Sequence, residues 1–244
     1  AFFGCSSLTK IHIPASVKKI ERCAFFGCSS LTEICIPKSV KTIEPHSFRE
    51  CSSLQKVIIP SSVESIGSYA FDRCYKLTNI SIPNSVKIIG ECAFYECTSL
   101  SKISLPSSLT SIKSRVFFGC SSLTKINIPI SVTRICKGFM KLCTSISKII
   151  IPSAIEIIDS YSFSECSSLT QISFETSSLL NIIGKCAFYK CSRLKQITVP
   201  SSVTEIGNDA FSGCSSLTQI TILSSVISIG NNVFIGIKTL EIKG

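Results

Sequence analysis

The sequence predicts a repeat solenoid, β-rich, built from one 23-residue unit written about ten times. Three observations predict it. The same residue types return at a constant step. Inside each unit apolar and polar residues alternate as they do on a strand with one buried face. And a unit this short cannot bury its own apolar face, so copies must stack and cover one another.

The unit starts at Ala1, Ala24, Ser47, Ala70, Ala93, Val116, Phe139, Ser162, Ala187, Ala210 and Val233, and every step is 23 residues except the 25 from Ser162 to Ala187. Residues 1–244 are therefore expected to form one solenoid of about ten full units and a partial last one, irregular over 162–186. With ~4.8 Å between strands, ten rungs give a rod roughly 50 Å long. The composition agrees with one continuous core: 45% of residues are hydrophobic and only 16% charged, which excludes a disordered chain. No run of about 18 apolar residues encodes a transmembrane helix.

The first element of the unit is Leu8-x-x-Ile11-x-Ile13, repeated as Leu31/Ile34/Ile36, Leu54/Val57/Ile59 and Leu77/Ile80/Ile82, and again at Leu217/Ile220/Ile222. Its spacing predicts a strand. Pro follows at Pro14, Pro37, Pro60, Pro83, Pro106, Pro129, Pro152 and Pro200, where a missing N–H ends the strand and turns the chain. Ser-Val-x-x-Ile predicts a second short extended piece, closed by Ile20, Ile43, Ile66, Ile89, Ile112, Ile135, Ile158, Ile183, Ile206 and Ile229. Gly67, Gly90, Gly184, Gly207 and Gly230 come next in half the units, which suggests positive φ there. Ala-Phe-x-x-Cys is expected to make a helical turn or a short 3-10 piece with its Phe pointing inward, from Phe2 to Phe234, and with Met140 in the slot once.

This unit, Leu-x-x-Ile-x-Ile-Pro-x-Ser-Val-x-x-Ile-Gly followed by Ala-Phe-x-x-Cys-Ser-Ser-Leu, resembles the BspA-like leucine-rich repeats of surface proteins from oral bacteria, treponemes and mucosal protists. The resemblance spans essentially the whole chain. It implies a leucine-rich-repeat horseshoe or rod, a role in adhesion or surface recognition, and a cell-surface or secreted location. Some units depart from the pattern. Phe174-Glu175-Thr176 stands where Ile-Pro-x belongs, with two extra residues before Leu180, which predicts a bulged loop between strands. The last unit, Ile237 to Ile242, has Ile in the Cys slot and a strand one residue short. The opening residues Ala1-Phe2-Phe3-Gly4-Cys5 carry no initiator Met and read as the middle of a repeat, so a segment of a longer chain is expected.

Ten of the fifteen cysteines share one slot: Cys5, Cys28, Cys51, Cys74, Cys97, Cys120, Cys143, Cys166, Cys191 and Cys214. A free, buried, small apolar side chain is the expectation, because rungs ~4.8 Å apart exceed disulfide Cβ spacing. Cys23, Cys35, Cys92, Cys136 and Cys186 lie off the ladder, and a loop disulfide stays open for Cys23/Cys28, Cys92/Cys97 and Cys186/Cys191. No C-x2-C occurs, and His12 and His46 lie in different units, so neither zinc nor any cofactor is expected. No catalytic motif is present, and two His leave little for a nucleophile–base pair. An enzyme is not expected.

The residues between the inward ones should form an exposed strand face. Its middle column reads Lys10, Glu33, Lys56, Asn79, Lys102, Lys125, Lys148, Gln171, Gln196 and Gln219: five Lys in the first seven rungs, broken by Glu33, then neutral and amide-bearing. The next column reads His12, Cys35, Ile58, Ser81, Ser104, Asn127, Ile150, Ser173, Thr198 and Thr221. With a net charge of +10, such a face suits acidic partners: sulfated or sialylated glycans, acidic protein patches, anionic lipid head groups. Host matrix or cell-surface molecules are the expected class. The plainer alternative is a solvated face that prevents aggregation. Nucleic acid is disfavoured, because the face lacks stacking aromatics and no recognition helix is present. An intracellular scaffold or a structural spacer stays open, since fifteen cysteines sit awkwardly in an oxidising compartment.

Overall fold

The computed structural model describes residues 1–238 and 240–243. The chain winds as a parallel β-solenoid, and each coil contributes to three walls. The first wall holds β1 (Glu33–Cys35), β3 (Lys56–Ile58), β5 (Asn79–Ser81), β7 (Lys102–Ser104), β10 (Lys148–Ile151), β12 (Gln171–Phe174), β14 (Gln196–Thr198), β16 (Gln219–Thr221) and β18 (Glu241–Lys243). The second holds the two-residue strands β2 (Thr42–Ile43), β4 (Ser65–Ile66), β6 (Ile88–Ile89), β8 (Ser111–Ile112), β9 (Arg134–Ile135), β11 (Ile157–Ile158), β13 (Ile182–Ile183), β15 (Glu205–Ile206) and β17 (Ser228–Ile229). The third is made of turns.

Equivalent residues pair between coils. Ile34 faces Val57 and Ile43 faces Ile66 in parallel register. The second wall forms two long ladders, β2-β4-β6-β8 and β9-β11-β13-β15-β17. The first wall is paired in shorter runs, β1-β3, β5-β7, β10-β12 and β14-β16-β18. Between the walls lies one core, in which Leu54, Leu77, Leu100, Leu123 and Leu169 are fully buried.

The turn wall differs from the sequence expectation. None of the described residues is helical. Positive φ recurs twice per coil, at Cys23 (φ 56) and Gly27 (φ 71), at Tyr69 and Arg73 (both φ 58), at Cys92 (φ 53) and Glu96 (φ 52). A helix needs consecutive negative φ, so these residues break it into linked turns such as Phe25 to Cys28. The remaining amides point to the next coil: Phe25 N–H donates to Ser47 O at 2.8 Å and Gly27 N–H to Arg49 O at 2.8 Å.

The glycines that follow the second strand also need correction. Gly67, Gly90, Gly184, Gly207 and Gly230 do not adopt positive φ. They lie where two coils approach closely: a Cβ on Gly67 would stand 2.6 Å from Pro45 N, and one on Gly90 2.5 Å from Ser68 N. The positive-φ glycines are instead Gly4, Gly27, Gly119, Gly138, Gly213 and Gly236.

The Phe column stacks face to face, at 5.3 Å for Phe25–Phe48 and 5.5 Å for Phe71–Phe94. Met140 does not continue it. Phe139, one residue earlier, enters edge-on between Phe117 (5.6 Å) and Phe163 (6.2 Å), while Met140 is buried beside it. Phe2, in the first coil, is stacked on Phe25 but stays 36% exposed. The two extra residues lie between β12 and β13, as a loop pinned by Glu175 N–H to Ile151 O and Leu179 N–H to Ser153 O. Pairing resumes at once, with Ile182 opposite Ile157. In the last unit Glu241 pairs with Gln219, which absorbs the shortened strand; Thr239 of that unit lies outside the described residues.

Side chains also tie coil to coil. Each ladder cysteine from Cys28 to Cys214 donates its S–H to a carbonyl of the preceding coil, as in Cys51 Sγ to Phe25 O at 3.1 Å and Cys97 Sγ to Phe71 O at 3.1 Å. Phe25 O accepts Cys28 N–H as well, so one carbonyl serves two donors. The serines of Ser-Val act alike: Ser62 Oγ donates to Val40 O at 2.8 Å and Ser202 Oγ to Leu180 O at 2.7 Å. Burial pushes the ladder thiols up, Cys51, Cys166 and Cys214 to about 12.

Two outcomes follow from this packing. Gly67→Ala should cost roughly 1–3 kcal/mol in a denaturant titration, because backbone must move to admit the methyl group, whereas Ser68→Ala next to it should change stability by less than about 0.5 kcal/mol. Equal small effects would mean that the coils are not so close. In the native protein a soluble thiol reagent should label the exposed Cys5 and Cys35 quickly and the buried ladder only on unfolding, since thiolate is the reactive form. Mass mapping that finds Cys97 or Cys120 modified early would contradict the buried ladder.

Candidate recognition face

The first wall turns its alternate residues outward because neighbouring side chains on a strand point to opposite sides. Ile34, Val57, Ile80, Ile103, Ile126 and Ile149 face the core. The residues on either side of them face solvent. Lys10, Glu33, Lys56, Lys102, Lys125, Lys148, Gln171 and Gln196 are all exposed, as are His12 and Asn127, and Gln219 is half-buried. These residues thus share one surface. Glu33 is paired with Lys56, Lys148 with Gln171 and Gln196 with Gln219 as direct cross-strand partners.

The partners within the column differ along the rod. Lys10 Nζ lies 3.6 Å from Glu33 Oε1, with both side chains more than half exposed, so solvent screens the pair. Lys56, Lys102, Lys125 and Lys148 have no ion pair among the described residues. At the amide end Gln171 Nε2 donates to Ser173 Oγ at 3.3 Å, and Gln219 Nε2 to Glu241 Oε2 at 3.1 Å. The second column adds exposed apolar side chains at Ile58 and Ile150.

Two shallow concavities open on this wall. One, of about 470 Å³, is lined by Lys10, His12, Glu33, Cys35, Lys56 and Ile58. The other, of about 480 Å³, lies at the irregular unit, between Gln171 and Gln196 and beneath Phe174, Ser177 and Ser178. The cysteines are free thiols, including Cys23/Cys28, Cys92/Cys97 and Cys186/Cys191. No cluster of three or more metal-ligating side chains occurs among the described residues. No helix among them is long and apolar enough to cross a membrane.

Comparison with known proteins matches the BspA type leucine rich repeat region in six copies, over residues 1–100, 64–179 and 136–243. A crystal structure of a leucine rich cell surface protein from Faecalibacterium prausnitzii is 30% identical, with a TM-score of 0.63, over 98% of this chain and 67% of that one. Leucine-rich repeat proteins from Treponema pallidum (24% identical, TM-score 0.55, 84% of this chain and 76% of that one) and Eubacterium ventriosum (23%, 0.61, 91% and 63%) share the fold. No curated protein matches the chain.

Sequence reasoning missed the turn wall. The residue after each inward Phe also forms a column: Phe3, Phe26, Arg49, Asp72, Tyr95, Phe118 and Lys141. Phe3 stacks on Phe26 at 5.0 Å and Tyr95 on Phe118 at 4.6 Å. The Arg49 guanidinium lies 5.5 Å from the Phe26 and Tyr69 rings, and its Nε stands 2.8 Å from Asp72 Oδ2. Arg73 bridges Glu50 (3.3 Å) and Glu96 (3.2 Å) in the neighbouring coils. The 23-residue spacing of these types was visible; that they meet as rings and ions required the coil geometry. Asp72 is only 2% exposed, and its Oδ1 has no partner. Burial pushes its carboxyl up to about 6, against the pull of Arg49 and Arg73 and with the help of Glu96 and Glu50.

A raised carboxyl value favours folding when protonated, so that contribution is lost as pH climbs from 3.8 through about 6. The displacement corresponds to on the order of 3 kcal/mol. Asp72→Asn removes the titration. Relative to that variant, the wild-type protein should therefore lose stability between pH 4 and pH 7, measured by denaturant unfolding at each pH. A gap that stays constant or widens in favour of wild type would show that Arg49 outweighs burial.

Proposed function

The chain belongs to the BspA-type leucine-rich repeat family, and from that premise we propose that it is a recognition module of the cell surface, attaching to host matrix or neighbouring surface molecules through its first wall. One observation carries the reading: each coil presents outward side chains that the core does not need, and they line up in register as a column with five lysines among the seven positions from Lys10 to Lys148, interrupted by Glu33 and Asn79, and amides beyond. Binding rather than catalysis suits a surface that presents one polar side chain per rung along its whole length and, among the described residues, gathers no metal-ligating set. Acidic protein patches and acidic glycans are the partners such a column attracts, through steering and charge complementarity.

The free cysteines favour a second reading, a scaffold that docks a protein on the same wall in a reducing compartment. Labelling of intact cells with a membrane-impermeant reagent separates the two: a labelled protein supports the surface module, an unlabelled one the scaffold.

The wall itself is tested by reversing Lys10, Lys56, Lys102, Lys125 and Lys148 to Glu. These side chains are exposed, so the fold should survive, with a melting temperature within a few degrees of wild type. Saturable binding of the purified protein to matrix proteins, sulfated glycans or whole cells should be lost in the reversed variant, and weakened by salt in the parent. Binding unchanged by reversal moves the site to another wall, and binding no stronger than that of a neutral control rejects the module.

A further inference from the structure

Between Glu96 and Glu156 the chain contains no carboxylate, over 59 consecutive residues, yet it carries Lys102, Lys113, Arg115, Lys125, Arg134, Lys137, Lys141 and Lys148. More than two coils are thus purely basic. Of the five belt cations off the first wall, three find carboxylates in coils outside this belt: Arg115 reaches Glu91 at 3.4 Å, Arg134 reaches Asp159 at 2.7 Å, and Lys141 reaches Glu165 at 3.3 Å, while Lys113 and Lys137 are exposed one to a coil with no ion pair among the described residues. On the first wall no such rescue occurs. Lys102 and Lys125 are bridged directly as parallel partners, Lys148 holds the same place one coil on, and all three are exposed with no ion pair among the described residues. Like charges placed directly opposite on neighbouring strands destabilise a sheet. Folding therefore places three repelling ammonium groups on one line, about 10 Å from first to last at the usual strand spacing.

We propose that this acid-free belt is the seat of a linear sulfated polysaccharide, which lies along the solenoid axis and supplies the anions that Lys102, Lys125 and Lys148 lack. The proposal rests on the recognition reading above and narrows its ligand to one class. The flanking residues support that choice. Ser104, Asn127 and Ser147 flank the lysines with small donors and acceptors suited to sugar hydroxyls, and Ser101 and Thr124, whose hydroxyls donate to carbonyls of the preceding coil, add acceptor oxygens. An acidic protein patch would need buried aromatic or aliphatic anchors at its centre, and here only Ile150 is exposed on the wall. That single apolar side chain is also too little for insertion into a lipid surface. Single-stranded nucleic acid would need aromatic platforms, which these coils do not present on this wall.

The test is binding of a heparin-derived decasaccharide, and of its desulfated counterpart, to the wild-type protein and to Lys102→Gln/Lys125→Gln/Lys148→Gln. Control lysines elsewhere are replaced in Lys18→Gln/Lys41→Gln/Lys195→Gln. The wild type should bind the sulfated sugar and not the desulfated one. The belt variant should bind at least about tenfold more weakly, with the slope of log affinity on log salt reduced by about three, one for each lysine. Its melting temperature should equal or exceed that of wild type, because the repulsion is gone. Affinity unchanged in the belt variant, an equal loss in the control variant, or tighter binding to single-stranded DNA or anionic vesicles than to heparin would each overturn the proposal. A belt variant that melts several degrees lower would overturn the idea of uncompensated repulsion. Cells stripped enzymatically of sulfated polysaccharide separate this inference from the adhesion reading. Undiminished attachment to them rejects the polysaccharide and leaves adhesion standing. Heparin binding without any attachment to cells rejects adhesion alone.

Discussion

Backbone hydrogen bonds in this molecule run along the solenoid axis, from coil to coil, and that constraint shapes every part of a repeat. On the two strand walls it appears as parallel pairing of equivalent residues. On the turn wall it appears as amides of one coil donating to carbonyls of the next, which is possible only because two residues per coil take positive φ and turn their neighbours outward. A coil is complete only when another lies against it, and the spacing between coils is thereby set to that of a sheet. Side chains at equivalent positions then meet their own kind, which explains the stacked Phe rings, the Cys S–H bonds to the preceding coil and the Ser-Val struts.

The same spacing decides where the repeat tolerates change. After the second strand the coils come so close that a Cβ on Gly67 or Gly90 would run into backbone. At the Ala-Phe position the core has room to rearrange, and Phe139 takes over the aromatic column from Met140 by entering edge-on. Between β12 and β13 the loop can lengthen by two residues without disturbing register, since it joins two walls and pairs only at its ends. Outward positions of the first wall are the freest of all. Nothing in the coil requires a particular residue there, so charge can be written along the rod independently of the fold.

That separation explains how much of the candidate face could be read in advance. Lys10, Glu33, Lys56, Lys102, Lys125, Lys148 and the glutamines were visible as one column because the strand period sets their direction. Which of them are paired was not visible: Lys10 has Glu33 across the gap, whereas Lys102, Lys125 and Lys148 have none among the described residues. The turn wall was hidden for another reason. Arg49, Asp72 and Arg73 carry no period-two pattern, and their ring and ion contacts arise between residues 23 apart, or nearly so.

Sequence alone determined the unit length, the stacking of coils, the inward Leu, Ile and Phe columns and the direction of the strand face, because a fixed step and a period-two alternation allow one arrangement that buries them all. Tertiary structure decided the rest. It replaced the expected helical turn by linked turns, moved the need for positive φ from the glycines after the second strand to two sites on the turn wall, and gave the cysteines a donor's role. The reason is the same in each case: these features depend on how near the next coil comes, a distance that no local pattern within one unit encodes.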